Sequence, residues 1–272
     1  MKKMIIIFFI LVFSWAVASF TRGIFTTKTN ETKDILITAH RGGASLGEEN
    51  TLECIKRGLA VGSKSIEIDV HLTADNHVIV CHDPTVDRTT NGVGAINDMT
   101  LEQIKALWIT DNSGKITTEK IPTLQQVLEL INGKVELLLE IKHNNGNNNG
   151  IENIILNILN QYNAKTYITI QSFDDSVLEK MHALDPSLRL EKLLFGKFIG
   201  LPFIFDGSIT YFSPEKYNYI SSFNFYHKAL SESLTNYLHK EGYRTRIWTL
   251  NDPNSIPDII IDGIITDSPN LF

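Results

Sequence analysis

The chain has 272 residues, of which 43% are hydrophobic and 21% charged, and its formal net charge is −6 at pH 7. This composition is ordinary for a globular protein, and the acidic balance argues against a nucleic-acid partner, which would require a basic face. The only two cysteines, Cys54 and Cys81, are too few for a disulfide framework and lack the spacing of a metal site. We expect both to be buried, inert thiols rather than a bridge.

The first predicted element is a hydrophobic leader over residues 1–20. Lys2 and Lys3 precede an apolar run that continues to Phe20, and residues 16–18 (Ala-Val-Ala) match a cleavage site. A secretory signal peptide is the first interpretation, and an uncleaved membrane anchor is the alternative, because residues 4–20 are at the short edge of a bilayer span. Both predict that the protein is exported across the cytoplasmic membrane or associates with it through this N-terminus.

Strand-like and helix-like segments alternate from residue 34 to residue 272, which we interpret as one domain. Strands are predicted at residues 35–38, 65–70, 78–80, 135–141, 167–170, 188–194, 246–250 and 263–266, and helices at 51–61, 100–108, 124–131, 151–162, 176–184 and 232–240. Strands that alternate with helices indicate an α/β fold with parallel pairing and helical crossovers. The length of this region is typical of a single (β/α)8 barrel.

Two segments do not follow the alternation. Residues 144–150 (NNGNNNG) are low in complexity and are interpreted as a loop between a strand and a helix. Residues 196–222, with the adjoining Phe195, are rich in aromatic and apolar side chains. Three interpretations stay open for them: barrel wall, a hydrophobic lid, or a membrane-facing patch.

Five short polar clusters stand at the ends of apolar runs. They are His40-Arg41-Gly42, Glu67-Ile68-Asp69, His82-Asp83, Glu140-Ile141-Lys142 and Gln171-Ser172. In a parallel sheet or barrel, the residues just beyond the strand carboxyl ends share one face, where loops build the active site. Polar groups gathered on one rim can pair with one another, with an ion and with substrate, so the clusters predict a pocket for a metal ion and a phosphate.

Three carboxylates are the predicted metal ligands. Glu67 and Asp69 are two residues apart on a strand, so their side chains point to the same side. With Glu140 they offer three hard oxygen ligands, which suit Mg²⁺ or Ca²⁺. The alternative is a set of ion pairs with Arg41 and Lys142. The two nearby histidines favour the metal, because so many charges would be hard to keep ionised and clustered without one.

The remaining cluster residues suit work on a phosphodiester. Such a substrate needs one group to take a proton from the nucleophile and another to give one to the leaving oxygen, and His40 and His82 suit that pair. Arg41 offers a planar fork to phosphate oxygens and Lys142 a point charge.

Two residues at the ends of later strands complete the predicted substrate contacts. Gln171 closes one apolar run, and Trp248 closes another. Trp248 could pack against a glycerol or alkyl part of a ligand, and an equally open alternative is that it fills the barrel mouth as a structural residue.

The order of these motifs carries a family resemblance. The segments are His40-Arg41-Gly42, Glu49-Asn50-Thr51, residues 66–70 (IEIDV), His82-Asp83-Pro84, residues 87–92 (DRTTNG), residues 121–124 (IPTL), residues 139–142 (LEIK), Gln171-Ser172-Phe173, Trp248-Thr249 and residues 263–269. In this order, the chain resembles the glycerophosphodiester phosphodiesterase family, within the phospholipase C-like phosphodiesterases.

The resemblance implies a (β/α)8 TIM barrel that hydrolyses glycerophosphodiesters to sn-glycerol 3-phosphate and an alcohol with the aid of a divalent metal. Carried over residue by residue, it implies that His40 and His82 are the acid/base pair. It also implies that the metal ligands are Glu67, Asp69 and Glu140, and that the phosphate is held by Arg41 and Lys142. The expected substrate is a small-molecule glycerophosphodiester or a lysolipid.

Two alternatives to this function stay open. A lysophospholipase D acting on membrane lysolipids would use the same site, and the apolar N-terminus and the aromatic segment are consistent with it. A catalytically silent ligand-binding barrel belongs to a different class, and it is disfavoured because the acid/base, metal and phosphate positions are all filled.

Overall fold

The computed structural model describes residues 35–142, 150–197, 203–207 and 209–272. The predicted leader, the first residue of the predicted domain and the predicted loop at 144–149 lie outside these ranges, so export of the chain stays a prediction. Within the described ranges, no helix combines the length and the apolar character that a membrane crossing requires.

Eight parallel strands close into a barrel in the described part of the chain, which confirms the expected TIM-barrel fold. They are β1 Leu36–Ala39, β2 Ser65–Leu72, β4 Glu136–Ile141, β5 Ile168–Ser172, β6 Arg189–Leu194, β10 Ser222–Tyr226, β11 Arg244–Trp248 and β12 Gly263–Thr266. Their order around the wall is β1, β2, β4, β5, β6, β10, β11, β12, and β12 returns to pair with β1.

The two faces of a barrel strand differ in chemistry. In β2, every residue is buried. Ile66, Ile68 and Val70 belong to the main hydrophobic core under the helices. Glu67 and Asp69 alternate with them, because successive side chains in a strand point to opposite faces. The same alternation that buries the apolar residues therefore brings the carboxylates to the barrel interior.

Two strands of the main sheet differ from the sequence prediction. Val78–Val80 (β3) forms at the predicted residues, but it pairs antiparallel with the end of β2 and is not a barrel strand. The link over residues 73–77 explains this, since a parallel crossover needs a dozen residues or more. The barrel strand Ser222–Tyr226 was not predicted, because it begins at the end of the aromatic-rich segment.

Six α-helices lie in the described ranges, each within three residues of a predicted helix. They are Leu52–Ala60, Leu101–Ala106, Leu124–Ile131, Ile151–Gln161, Asp175–Leu184 and Glu232–Lys240. Thr100 and Thr123 form capping boxes with Gln103 and Gln126. Short 3-10 turns complete the elements at His40–Gly42, Ile96–Asp98, Ala164–Thr166, Pro214–Tyr217, Pro253–Ser255 and Pro269–Leu271.

Part of the segment after β6 packs against the barrel wall, and part forms a separate small sheet. A small antiparallel sheet of β7 Gly196–Lys197, β8 Phe203–Phe205 and β9 Ile209–Tyr211 stands outside the barrel wall. Phe205, Ile209 and Tyr211 are exposed on this small sheet. Phe212 and Tyr217, by contrast, are buried against Phe223 of β10 and belong to the wall.

Both cysteines are free, buried thiols, as expected. Burial raises the pKa of Cys54 and of Cys81 to about 12, which keeps both protonated and unreactive at neutral pH.

Candidate functional site

The five polar clusters meet at one mouth of the barrel. Four lie on or just after the consecutive wall strands β1, β2, β4 and β5, and the fifth follows β3. Register explains part of this convergence. Asp69 of β2 pairs with Glu140 of β4, and Glu140 pairs with Gln171 of β5, so the three side chains form one layer. The side chains of Glu67, Asp69 and Glu140 approach so closely that an oxygen from each lies within 4.8 Å of the others, and all three residues are buried.

A sharp turn after β1 brings His40 and Arg41 to the mouth. Arg41 adopts a left-handed conformation with φ of 52°, which is uncommon outside glycine and marks local strain. Gly42 follows with φ of 86°, and a Cβ there would crowd the helix at Ile55. The turn aims the backbone N–H of Arg41 at Glu67 Oε2, 2.9 Å away.

Asp69 is the best compensated of the three acids. Lys142 Nζ lies 2.8 Å from its Oδ1, and Asn50 Nδ2 donates to its Oδ2 at 2.8 Å. Burial works to raise the pKa of Asp69, but Lys142, His82 and Arg41 together hold it well below the usual range. Its Oδ1 still accepts no well-directed hydrogen bond, so a buried carboxylate oxygen has capacity for a further partner.

Glu67 and Glu140 are left with too little positive charge. Glu140 shares Lys142, whose Nζ donates to Oε1 at 2.6 Å. Glu67 receives the N–H of Arg41 and, at 3.4 Å, the amide of Gln171. Burial and the neighbouring carboxylate of Asp69 raise the pKa of both glutamates.

This donor set fits a divalent cation. The predicted ion pairs exist as well as the predicted cluster, since Arg41 Nε lies 3.7 Å from Asp69 Oδ2. However, Arg41 also donates to Glu49, at 3.0 Å, so its charge is shared with a fourth carboxylate. Three buried, incompletely compensated carboxylates offer the hard oxygen ligands that divalent cations such as Mg²⁺ or Ca²⁺ prefer.

His40 is held by a carboxylate that the sequence analysis did not single out. Its Nδ1 is hydrogen-bonded to Asp267 Oδ1 at 2.6 Å, and its Nε2 lies 4.0 Å from Glu67 Oε2. Burial alone would lower the pKa of His40, but Asp267 and the charge of Glu67 raise it. Asp267 directly follows β12, so it carries the same strand-end signal as the five clusters.

His82 has the same arrangement on the opposite loop. Its Nδ1 is hydrogen-bonded to Asp83 Oδ1 at 2.7 Å. Burial and the charges of Lys142 and Arg41 lower its pKa, against the opposing effect of Asp69. Because each histidine uses Nδ1 for a carboxylate, Nε2 is in both cases the nitrogen that can serve a reacting group.

Gln171 and Trp248 are both at the mouth, with most of their polar groups already engaged. Gln171 donates to Glu67 and accepts from Asn224 Nδ2 at 2.9 Å, so its contacts support a carboxylate. Trp248 Nε1 donates to the carbonyl of Asn224 at 2.9 Å. The ring of Trp248 packs edge-on against Phe173 and Phe195, both with ring centres 5.5 Å away.

Sequence comparisons place this geometry among known proteins. A family model described as the glycerophosphoryl diester phosphodiesterase family matches residues 40–271. A glycerophosphodiester phosphodiesterase from Caldanaerobacter subterraneus subsp. tengcongensis is 36% identical over 242 residues, which are 87% of this chain and 96% of the relative. One from Bacillus subtilis is 28% identical over 255 residues, covering 88% of this chain and 85% of the relative.

Solved structures show the same barrel. A phosphodiesterase from Oleispira antarctica, in complex with its product sn-glycerol-3-phosphate, superposes with a TM-score of 0.75 at 22% identity, covering 86% of this chain and 93% of the other. A glycerophosphodiester phosphodiesterase from Thermotoga maritima gives a TM-score of 0.70 at 24% identity, covering 89% of this chain and 98% of the other. At these identities, the structural likeness shows the fold.

Proposed function

The chain belongs to the glycerophosphoryl diester phosphodiesterase family and hydrolyses glycerophosphodiesters, and we propose that the residues of the barrel mouth carry out this reaction. Water is added across the phosphodiester, and sn-glycerol 3-phosphate and an alcohol are released. The proposal depends on one observation above all. Glu67, Asp69 and Glu140 converge within 4.8 Å in the same mouth as two histidines that each have their own carboxylate.

The three carboxylates would hold a divalent ion, Mg²⁺ or Ca²⁺. Bound there, the ion would supply positive charge to the phosphate oxygens and so lower the cost of charge in the transition state. Arg41 and Lys142 supply the rest of that charge from this chain. Lys142 is already within 2.8 Å of Asp69 and 2.6 Å of Glu140, so a phosphate at the trio would also meet its ammonium group.

Proton transfer falls to the two histidines. One takes a proton from the nucleophile, and the other gives one to the leaving alcohol. Asp267 and Asp83 hold the rings through Nδ1, which fixes the direction in which Nε2 can act. The nucleophile is either water or the glycerol 2-hydroxyl of the substrate, and attack by that hydroxyl gives a cyclic phosphate before hydrolysis.

The direct test is a product assay. The protein is incubated with glycerophosphocholine in Mg²⁺ or Ca²⁺, with and without a chelator, and sn-glycerol 3-phosphate is quantified. We expect the chelator to abolish turnover and either added ion to restore it. Failure to release sn-glycerol 3-phosphate from a panel of glycerophosphodiesters with both ions would refute the proposal.

A lysolipid substrate is the second candidate, and the aromatic side chains beside Trp248 favour it. Phe195 stacks on Phe173 with ring centres 4.9 Å apart and contacts Phe205 at 5.4 Å. Phe195 and Phe205 are both exposed, so they offer apolar surface next to the site. We expect Phe205→Ser to lower turnover of lysophosphatidylcholine and to leave that of glycerophosphocholine unchanged. Equal effects on both substrates would argue against this candidate.

A further inference from the structure

Arg88 joins two loops of the mouth that follow different strands. Its Nη1 and Nη2 donate to the two carboxylate oxygens of Glu49, at 2.9 and 2.7 Å. Its Nε and Nη2 donate to the two oxygens of Asp83, at 2.6 and 3.2 Å. Paired bonds from a guanidinium to a carboxylate fix direction as well as distance. Arg88 therefore fixes Glu49, after β1, relative to Asp83, after β3.

Each of those carboxylates also binds a residue with a proposed catalytic or phosphate-holding role. Glu49 Oε1 accepts from Arg41 Nη1 at 3.0 Å, and Asp83 Oδ1 is 2.7 Å from His82 Nδ1. The result is a continuous chain, Arg41–Glu49–Arg88–Asp83–His82, which we name the arginine bridge. Arg88 occupies its centre.

Stability alone does not account for this arrangement. The side chain of Arg88 is 48% exposed, and an isolated ion pair at that exposure contributes little to stability. The charge balance points instead to the site. Without Arg88, Glu49 would have Arg41 as its main counter-charge, whereas Arg88 shares the charge of Glu49 and so weakens the hold of Glu49 on Arg41.

We propose that Arg88 is a positioning residue: it fixes Asp83, which orients His82, and it satisfies Glu49, which holds Arg41. The inference rests on the proposed roles of His82 and Arg41. It assigns no contact between Arg88 and the substrate. Its effect is to keep the proton-transferring ring and the phosphate-holding fork at a constant separation.

The test compares Arg88→Ala, Arg88→Lys and Asp83→Asn with the wild type on glycerophosphocholine. We expect Arg88→Ala to lower kcat by about 10- to 100-fold, because a small misplacement of a catalytic group has an effect of that size. Affinity for Ca²⁺, measured by calorimetry on the metal-free protein, should not change, since the arginine bridge does not include the three acids. Arg88→Lys should recover only part of the loss, because an ammonium group cannot form two paired contacts.

A double-mutant cycle separates positioning from general damage. The loss of kcat caused by Arg88→Ala should be smaller in the Asp83→Asn background than in the wild type, because both changes act through the orientation of His82. The loss that remains measures the second route, through Glu49 and Arg41. Arg244→Ala, an exposed arginine at the start of β11, is the matched control and should be neutral.

The outcomes are distinguishable. A wild type that releases no sn-glycerol 3-phosphate, or a fully active His82→Ala, refutes the proposed function itself. With an active wild type, the inference is overturned by a wild-type kcat for Arg88→Ala, by losses that multiply in the cycle, or by a loss that follows a fall in Tm. Non-additive losses at unchanged Tm and unchanged Ca²⁺ affinity support it.

Discussion

Two clusters of buried charge lie in the same barrel and differ in how their charges are balanced. At the mouth, Lys142 contacts Asp69 and Glu140, and Glu67 lies beside these two acids. The pKa of both glutamates is raised by burial and by their acidic neighbours. Deeper in the barrel, Arg246 binds Glu136 and Glu191, a set that we name the inner cluster.

Both carboxylates of the inner cluster are hydrogen-bonded to the same arginine. Arg246 donates to both oxygens of Glu136, each at 3.2 Å, and to Glu191 Oε1 at 2.9 Å. Although burial opposes it, Arg246 lowers the pKa of Glu136 below its usual range. The planar fork of Arg246 reaches both carboxylates of the inner cluster, whereas at the mouth Lys142 reaches Asp69 and Glu140. The guanidinium of Arg41 also lies near Asp69. Glu67 and Glu140 at the mouth therefore have raised pKa values that a bound cation would lower, whereas the pKa of Glu136 is already lowered by Arg246.

The two clusters are connected by side-chain amides. Asn224 Nδ2 donates to Glu191 Oε2 at 2.8 Å and to Gln171 Oε1 at 2.9 Å. Gln171 in turn donates to Glu67 at 3.4 Å. Through these amides the inner cluster supports the acids at the mouth. Damage to the inner cluster should lower stability, whereas damage at the mouth should lower activity or metal binding.

The largest expected effect is on turnover at the mouth. His40→Ala should lower kcat by roughly two to four decades, the usual contribution of a positioned acid or base, with little change in the free energy of unfolding. Product release from glycerophosphocholine measures the first quantity and urea unfolding the second. His77→Ala, at a half-exposed histidine beside Asp75, is the control and should be neutral. Near wild-type turnover of His40→Ala would remove this residue from the mechanism.

The inner cluster should respond in the opposite way. Arg246→Met leaves Glu136 and Glu191 without their shared cation, and breaking a buried ion pair in this manner costs about 3–5 kcal/mol of folding free energy. Urea unfolding measures the loss. Turnover per folded molecule should stay close to that of the wild type. If Arg246→Met is as stable as the wild type, the inner cluster has no structural role, and the two clusters do not differ in the way described.

Metal binding provides a smaller, reversible effect on stability. Ca²⁺ or Mg²⁺ at about 100 times its Kd should stabilise the protein by about 2.7 kcal/mol, because only the folded mouth assembles the three ligands. Thermal unfolding with and without the ion measures this. Glu67→Gln should abolish the increase while the metal-free protein stays folded, since an amide keeps the shape but loses the charge. An undiminished increase in Glu67→Gln would show that the ion binds elsewhere.

The sequence predicts the three acids at the mouth better than it predicts the residues that hold the rest of the site in place. Glu67, Asp69 and Glu140 are recognisable because each is a charged residue in an otherwise apolar strand, a local signal. The role of Arg88 depends on Glu49, 39 residues away, and that of Asp267 on His40, 227 residues away. No pattern among neighbouring residues in the sequence therefore reveals either pairing. The strand Ser222–Tyr226 was missed for a related reason, because its neighbours on both sides are aromatic and hide where the strand begins.

The smallest effect is the pH dependence of stability in the metal-free protein. The ordinary pKa of a glutamate is 4.5, and those of Glu67 and Glu140 are raised above it in the fold. Above pH 4.5 the native state therefore keeps protons that the unfolded chain has lost, and stability should fall as pH rises from 4.5 through the raised values.

The lowered pKa of Glu136 works in the opposite direction. Its contribution is present above pH 4.5 and is lost only as the pH falls below that value, so it cannot mask the decline. The unfolding free energy, measured in urea between pH 5 and 8 in chelator, should therefore decrease as the pH rises. Glu67→Gln should flatten this decline, and Ca²⁺ should reverse it. If the unfolding free energy of Glu67→Gln falls with pH as steeply as that of the wild type, the carboxylates at the mouth are already balanced. The mouth and the inner cluster would then not differ in charge compensation.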